Sequence, residues 1–216
     1  MATSYSWPPA KGLSTVQIPR SDTILQMYAS KKINAPGQRV LDAVLDVSNY
    51  NKWNTFCPEA KIEVQPPGGG REGGAADFRK MKLGSIMTFQ VVMDASKSNN
   101  KTATGLKVTD ISTPSHPSDY VPASTRESDS SFYSDLSKLY RVCWKTEGGF
   151  VSRGLRGERF HEIIVVGENE CEVRTWECQG GILARTVKWM FQKTLMEKFD
   201  LWLADLKGYC EAQGRT

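Results

Sequence analysis

His161 is one of only two histidines in this 216-residue chain, and it stands in a strand-like run, Glu158 to Val166, where an imidazole titrating near neutral pH can move a proton. A second strand-like run, Cys171 to Cys178, follows across a Gly-Glu-Asn-Glu turn. If Val165 pairs with Val173 in that hairpin, Ile163 falls opposite Thr175 and His161 opposite Glu177, all on one face. A histidine beside a carboxylate is a usable general base, because the carboxylate fixes its tautomer and raises its pKa. His161 and Glu177 are therefore the candidate catalytic pair, with Tyr28 and Tyr140 as candidate acids at the other rim. A one-residue slip would turn the whole row to the opposite face. The plainer reading is an exposed or structurally satisfied contact.

Other chemistries are poorly represented. Gly68, Gly70 and Gly73 match a dinucleotide-binding pattern, but they follow Pro66-Pro67 and lead into a strand, with no helix whose N-terminus could hold a pyrophosphate. They read as a flexible turn. Phosphate-loop, serine-elbow and HExxH signatures do not occur, so the expectation is a protein that needs no cofactor. Five cysteines, an odd number without a C-x-x-C pair, point to reduced thiols and against a structural metal site. The net charge of +4 is scattered among acids, which argues against nucleic acid as a partner. No run approaches the ~18 apolar residues of a transmembrane segment, and the first 20 residues carry no signal-like apolar core; a soluble, cytoplasmic protein is expected.

The elements that must position these groups follow from periodicity. Residues 1–21, rich in Ser, Pro and Lys, read as a flexible arm, and residues 22–216 as one domain. A strand over 22–33 precedes a short helix from Pro36 to Val47, whose Val40, Val44 and Val47 share one face, and a second helical turn, Ser48 to Trp53. Strands are predicted near 60–65, 86–94, 101–111 and 139–148; in the second, Met87, Phe89, Val91 and Met93 alternate with more polar positions. Between the last two lies a Ser/Pro/Asp-rich insertion, 112–138, read either as disordered or as a lid closing with Tyr120, Val121, Phe132 and Tyr133. After the hairpin, Gly180 and Gly181 turn the chain into a long helix, Ile182 to Ala212. Its stripe of Ala184, Val187, Phe191, Leu195, Phe199, Trp202, Leu206 and Tyr209 must lie against a sheet.

One strand, two short helices, about six strands and a long helix make an α+β, helix-grip fold: a curved antiparallel sheet of 6–7 strands around the C-terminal helix. The gap between them is the natural ligand site. From the sheet, Phe89, Val91, Trp144, Ile163 and Thr175 are its expected wall, with Phe160 close by; Val187 and Phe191 come from the helix, and Tyr28, Trp53 and Tyr140 from the rim. A second apolar line on the helix, Trp189, Met196 and Leu203, is a candidate weak dimer seam or membrane-surface contact.

Three motifs resemble the START-like superfamily called SRPBCC, which includes the birch-pollen allergen fold, aromatase-type polyketide cyclases and coenzyme Q-binding proteins. NAPGQRVLDAVLDVSNYNKWNTFCP looks like its opening motif, Leu83-Gly84-Ser85 like the glycine before its third strand, and GERFHEIIVVGENECEVRTWECQGGILARTVKW like its closing hairpin and helix start. The chain departs from the pattern at Leu41, where tryptophan or phenylalanine is common, and in the length of the 112–138 insertion. The resemblance implies a deep apolar cavity for a polyketide-, isoprenoid-, quinone- or lipid-like molecule. It is compatible with a binding protein or, alternatively, with a cofactor-independent cyclase, dehydratase or isomerase working by general acid/base catalysis.

Overall fold

Pro36, extended at φ −57° and ψ 140°, ends the first strand and leads into the first helix. In the computed structural model, which describes residues 6–67, 77–94, 101–148 and 154–214, strand β1 spans Leu25–Ile33 and helix α1 Gly37–Leu45. Gly37 is required there because a Cβ would lie 2.9 Å from the Tyr140 ring. Asp46 then caps a 3₁₀ turn, Val47–Lys52, accepting the Ser48 N–H at 3.1 Å, and the Tyr50 hydroxyl donates to the Val44 carbonyl at 2.7 Å. Val40, Val44 and Val47 are all buried, as their spacing predicts.

The remaining strands are β2 (Glu59–Val64), β3 (Ile86–Val91), β4 (Thr102–Ser112), β5 (Leu139–Thr146), β6 (Arg156–Gly167) and β7 (Glu170–Gly180). All pair antiparallel in one seven-stranded sheet, ordered β1-β7-β6-β5-β4-β3-β2. Gly181, at φ +96° and with the Gly154 carbonyl 2.6 Å from where a Cβ would stand, makes the bend into helix α3 (Ile182–Ala212). The helix lies on the inner face of the sheet, where Phe199, Trp202, Leu203, Leu206 and Cys210 meet Met27, Ile33, Val173 and Trp53. This is the helix-grip architecture expected from the order of elements. The dinucleotide-like glycines 68, 70 and 73 lie outside the described residues.

The outer face differs from expectation. Phe160, Trp176, Cys143 and Cys178 point outwards from β5, β6 and β7, and such a surface needs cover. Leu13 and Ile18 supply it from the N-terminal stretch, Val121 and Phe132 from the insertion, and a short helix α2 (Ala123–Ser128) lies between the latter two. The two covers are joined: Arg20 pairs with Asp129, Ser14 donates to Asp129 at 2.5 Å, and the Trp176 indole donates to the Ser14 carbonyl at 2.9 Å. So residues 7–21 pack on the outer face of the sheet where a free arm was expected, and the insertion covers that same face, away from the gap beneath α3. Tyr120 and Phe132 pack on Phe160, on the opposite side of the sheet, and Phe160 is no cavity residue.

Candidate functional site

Parity along β6 and β7 decides which side chains reach the space beneath α3. Arg159 and His161 project inwards from β6, and Thr175, Glu177 and Gln179 from β7. The register differs from the expected one. Val165 pairs with Cys171, which sets Ile163 opposite Val173, His161 opposite Thr175, and Glu177 opposite Arg159. The hairpin closes through the Gly167 to Glu170 pair with an irregularity after Val165. The shift is two residues, so the face survives while every partner changes.

His161 consequently lacks its carboxylate. Its ring lies 4.2 Å from that of Trp144 and 4.8 Å from that of Trp202, fully buried, and neither nitrogen has a hydrogen-bond partner. Burial first, then the charge of Arg159, hold its pKa well below the usual histidine range. A neutral imidazole packed between two indoles is a core residue, and it is not among the side chains lining the cavity.

That cavity, of about 280 Å³, lies between the inner face of the sheet and the first half of α3. Phe89, Val91, Trp144, Val187 and Phe191 line it. The other expected wall residues are elsewhere. Tyr28 faces outwards against Trp7, Tyr140 packs over Gly37, Trp53 is stacked among Tyr50, Trp202 and Tyr209, and Ile163 is closed into the core. Thr175 touches the site only indirectly, by accepting the Arg159 Nε–H at 3.2 Å.

The polar part of the wall is Arg159, Glu177 and Gln179, with Thr102, Thr104 and Thr146. The Arg159 guanidinium stacks 3.9 Å from the Phe199 ring centroid and 5.0 Å from that of Trp202. Its Nη2 is buried without a hydrogen-bond partner, and so is Oε1 of Gln179. The Gln179 amide donates to Glu177 at 2.6 Å. Burial raises the Glu177 pKa, Arg159 and the Gln179 hydrogen bond pulling against it; burial also lowers that of Arg159. Cys57, in the same wall, is pushed up to about 12 by burial and stays a thiol. Arg159 and Gln179 were legible in principle, because both share the parity of the inward-facing row.

On α3, Trp189 is 85% exposed, Met196 is half-buried and Leu203 is completely buried. The expected apolar seam therefore breaks, since Leu203 belongs to the core. Among the described residues no helix is long and apolar enough to cross a membrane.

Comparison with solved structures places the architecture. The fold is shared with a START superfamily protein from Mycobacterium smegmatis (TM-score 0.56, 12% identity, 87% of this chain and 98% of that one). It is also shared with the Zhui aromatase/cyclase from Streptomyces sp. R1128 (TM-score 0.58, 8% identity, 88% and 96%) and with the ginseng major latex-like protein 151 from Panax ginseng (TM-score 0.52, 12% identity, 86% and 96%). These likenesses show the helix-grip fold alone. No family model matches the sequence. The oxopyrrolidines biosynthesis cluster protein O of Penicillium oxalicum is 30% identical over 215 residues, covering 94% of this chain and 95% of that protein. With this identity along nearly the full length of both chains, the protein belongs to the family of oxopyrrolidines biosynthesis cluster protein O, built on the START-like helix-grip fold.

Proposed function

We propose that the protein binds a small hydrophobic molecule, polyketide-, isoprenoid-, quinone- or lipid-like, between the sheet and α3, as a step in a biosynthetic route. The observation that carries this reading is the cavity of about 280 Å³ whose wall is mostly aromatic and aliphatic, with a few convergent polar groups at β6 and β7. The relative's biosynthesis-cluster name supports the context. The direct test is incubation of the purified protein with a lipophilic extract of its source, followed by mass spectrometry of retained and newly formed compounds. A compound retained unchanged supports binding; a recovered protein with nothing enriched over a denatured control refutes it.

A second reading, cofactor-independent cyclisation, dehydration or isomerisation, is favoured by one observation: Glu177 is a cavity-wall carboxyl whose pKa is raised by burial. A carboxyl that exchanges its proton readily can serve as acid or base towards a bound carbonyl compound. In that reading Glu177 acts without His161. A new product in the extract that vanishes with Glu177→Gln would establish catalysis; the same product with Glu177→Gln would remove Glu177 from the chemistry.

Two phenylalanines of α3 in the cavity wall differ in how much stability rests on them. Both line the cavity, but Phe191 is 38% exposed, whereas Phe199 is 1% exposed. Phe191→Ala is expected to weaken binding of an extracted ligand at least tenfold while costing only about 1 kcal/mol of stability; Phe199→Ala should cost about 3–5 kcal/mol. Urea unfolding and ligand titration on both variants check the pair.

A further inference from the structure

The orphaned polar atoms of the cavity wall restrict what the ligand can be. Arg159 is 6% exposed, its Nε–H is used on Thr175, and its Nη2 has no partner; an unpaired guanidinium N–H in so dry a place is costly. Phe199 and Trp202 hold the group flat, so it has little freedom to turn away towards water. Glu177, its cross-strand neighbour, has one oxygen engaged by Gln179. The buried wall atoms left without a hydrogen-bond partner are thus a cationic donor, Nη2 of Arg159, and an acceptor, Oε1 of Gln179, in a wall whose other polar groups are Glu177 and the threonines 102, 104 and 146.

We infer that Arg159 receives an anionic oxygen of the ligand, so that the cavity selects apolar molecules ending in a carboxylate or an enolate over neutral ones of equal length. The inference rests on the ligand-binding reading above and narrows it to a chemical class. A charge-assisted hydrogen bond in a water-poor site is about twice as strong as a neutral one, and the planar guanidinium suits the planar oxygens of either group. The aliphatic or aromatic remainder then lies along Phe89, Trp144, Val187 and Phe191.

The test uses three probes with the full chain: decanoate, the enolised tricarbonyl 2-octanoylcyclohexane-1,3-dione, and decan-1-ol, each titrated calorimetrically at pH 8. The wild-type protein should bind at least one of the two acids tenfold or more tightly than the alcohol, and which acid prevails identifies the source of the oxygen. Arg159→Gln should close that gap to within threefold while the alcohol's affinity stays within threefold of wild type, and Arg159→Lys should keep part of it. Since Arg159 also packs on Phe199, Gln179→Glu provides a second variant: a further carboxylate in the wall should weaken the favoured acid at least tenfold and leave the alcohol alone. Equal wild-type affinity for acids and alcohol, or a preference that survives in folded Arg159→Gln and in Gln179→Glu, overturns the inference while leaving the cavity a binding site. If none of the three probes binds, the ligand-binding reading falls and takes the inference with it.

Discussion

Asp110→Ala is expected to cost the protein about 3–5 kcal/mol, enough to leave a domain of ordinary stability only marginally folded. The Asp110 side chain is 3% exposed and accepts the Arg141 Nε–H at 2.6 Å, while the Arg141 side chain is fully buried. Ser118 completes the cluster, donating to Asp110 at 2.6 Å and accepting from Arg141 at 3.1 Å, so the insertion is tied to β4 and β5 through the same charges. Removing the carboxylate strands a guanidinium whose Nη1 already lacks a partner. The loss should therefore exceed that of Asp110→Asn, which keeps an acceptor, and should shrink in the double variant Asp110→Ala, Arg141→Met, where neither partner of the pair is left buried alone. Urea unfolding of the three variants checks the ordering. A loss below about 1 kcal/mol for Asp110→Ala would mean that water reaches Arg141.

The cluster also explains why one face of this protein was readable in its sequence and the other was not. On the inner face, periodicity carried the information: Met87 and Phe89 on β3, and the stripe from Ala184 to Leu206 on α3, obey the spacings of strand and helix and are found where those spacings put them. On the outer face the cover is a Ser- and Asp-rich insertion and a Pro-rich N-terminal stretch, held as much by side-chain hydrogen bonds as by Leu13, Ile18, Val121 and Phe132. Such segments have no period, and the N-terminal stretch finds its partners in the insertion and on β6 more than a hundred residues away. The available signal was β6 itself, buried on both faces from Gly157 to Ile164; Phe160 beside His161 does not alternate as a half-exposed strand would.

The candidate site shows the same division at finer scale. Parity decides that Glu177 faces the wall, but pairing depends on how many residues the turn consumes, and Gly-Glu-Asn-Glu closes through the Gly167 to Glu170 pair, tighter than a Val165 to Val173 pairing allows. His161 drew attention as a rare residue type, while Arg159, two positions earlier on the same face, passed as one cation among many. What separates them is burial. An arginine at an inward position of a central strand must meet a charge, an aromatic face or a ligand, and here two aromatic rings, the Thr175 hydroxyl and the charge of Glu177 still leave the Nη2 amino group without a hydrogen-bond partner.

Glu162 should make the protein lose stability as pH rises, opposite to the usual behaviour of a native carboxylate. It is completely buried on the outer face, opposite Arg141 of β5 and Arg174 of β7, with one oxygen accepting the Tyr133 N–H at 3.0 Å and the other unpartnered. Burial raises its pKa to about 7 from an ordinary 4.5, despite the two arginines and the Tyr133 N–H, with Asp110 adding to the rise. Because the folded value is the higher one, the folded state holds a proton that the unfolded chain has released; this stabilisation is complete below about 4.5 and is lost as pH climbs through 7. At ~1.4 kcal/mol per pH unit between the two values, about 3 kcal/mol disappears by pH 8. Glu177 and Glu158, also raised by burial, act in the same direction as Glu162, and His161 works in the other, its depressed pKa removing stability as pH falls below 6.5, so the wild-type profile alone mixes them. The difference between Glu162→Gln and wild type isolates Glu162, since the amide imitates the protonated form and the other groups are common to both. That difference should move in favour of the variant by about 2–4 kcal/mol between pH 5 and pH 8, measured by urea unfolding at each pH. A flat difference would mean that Glu162 is ionised throughout, held by Arg141 and Arg174 as a buried ion cluster.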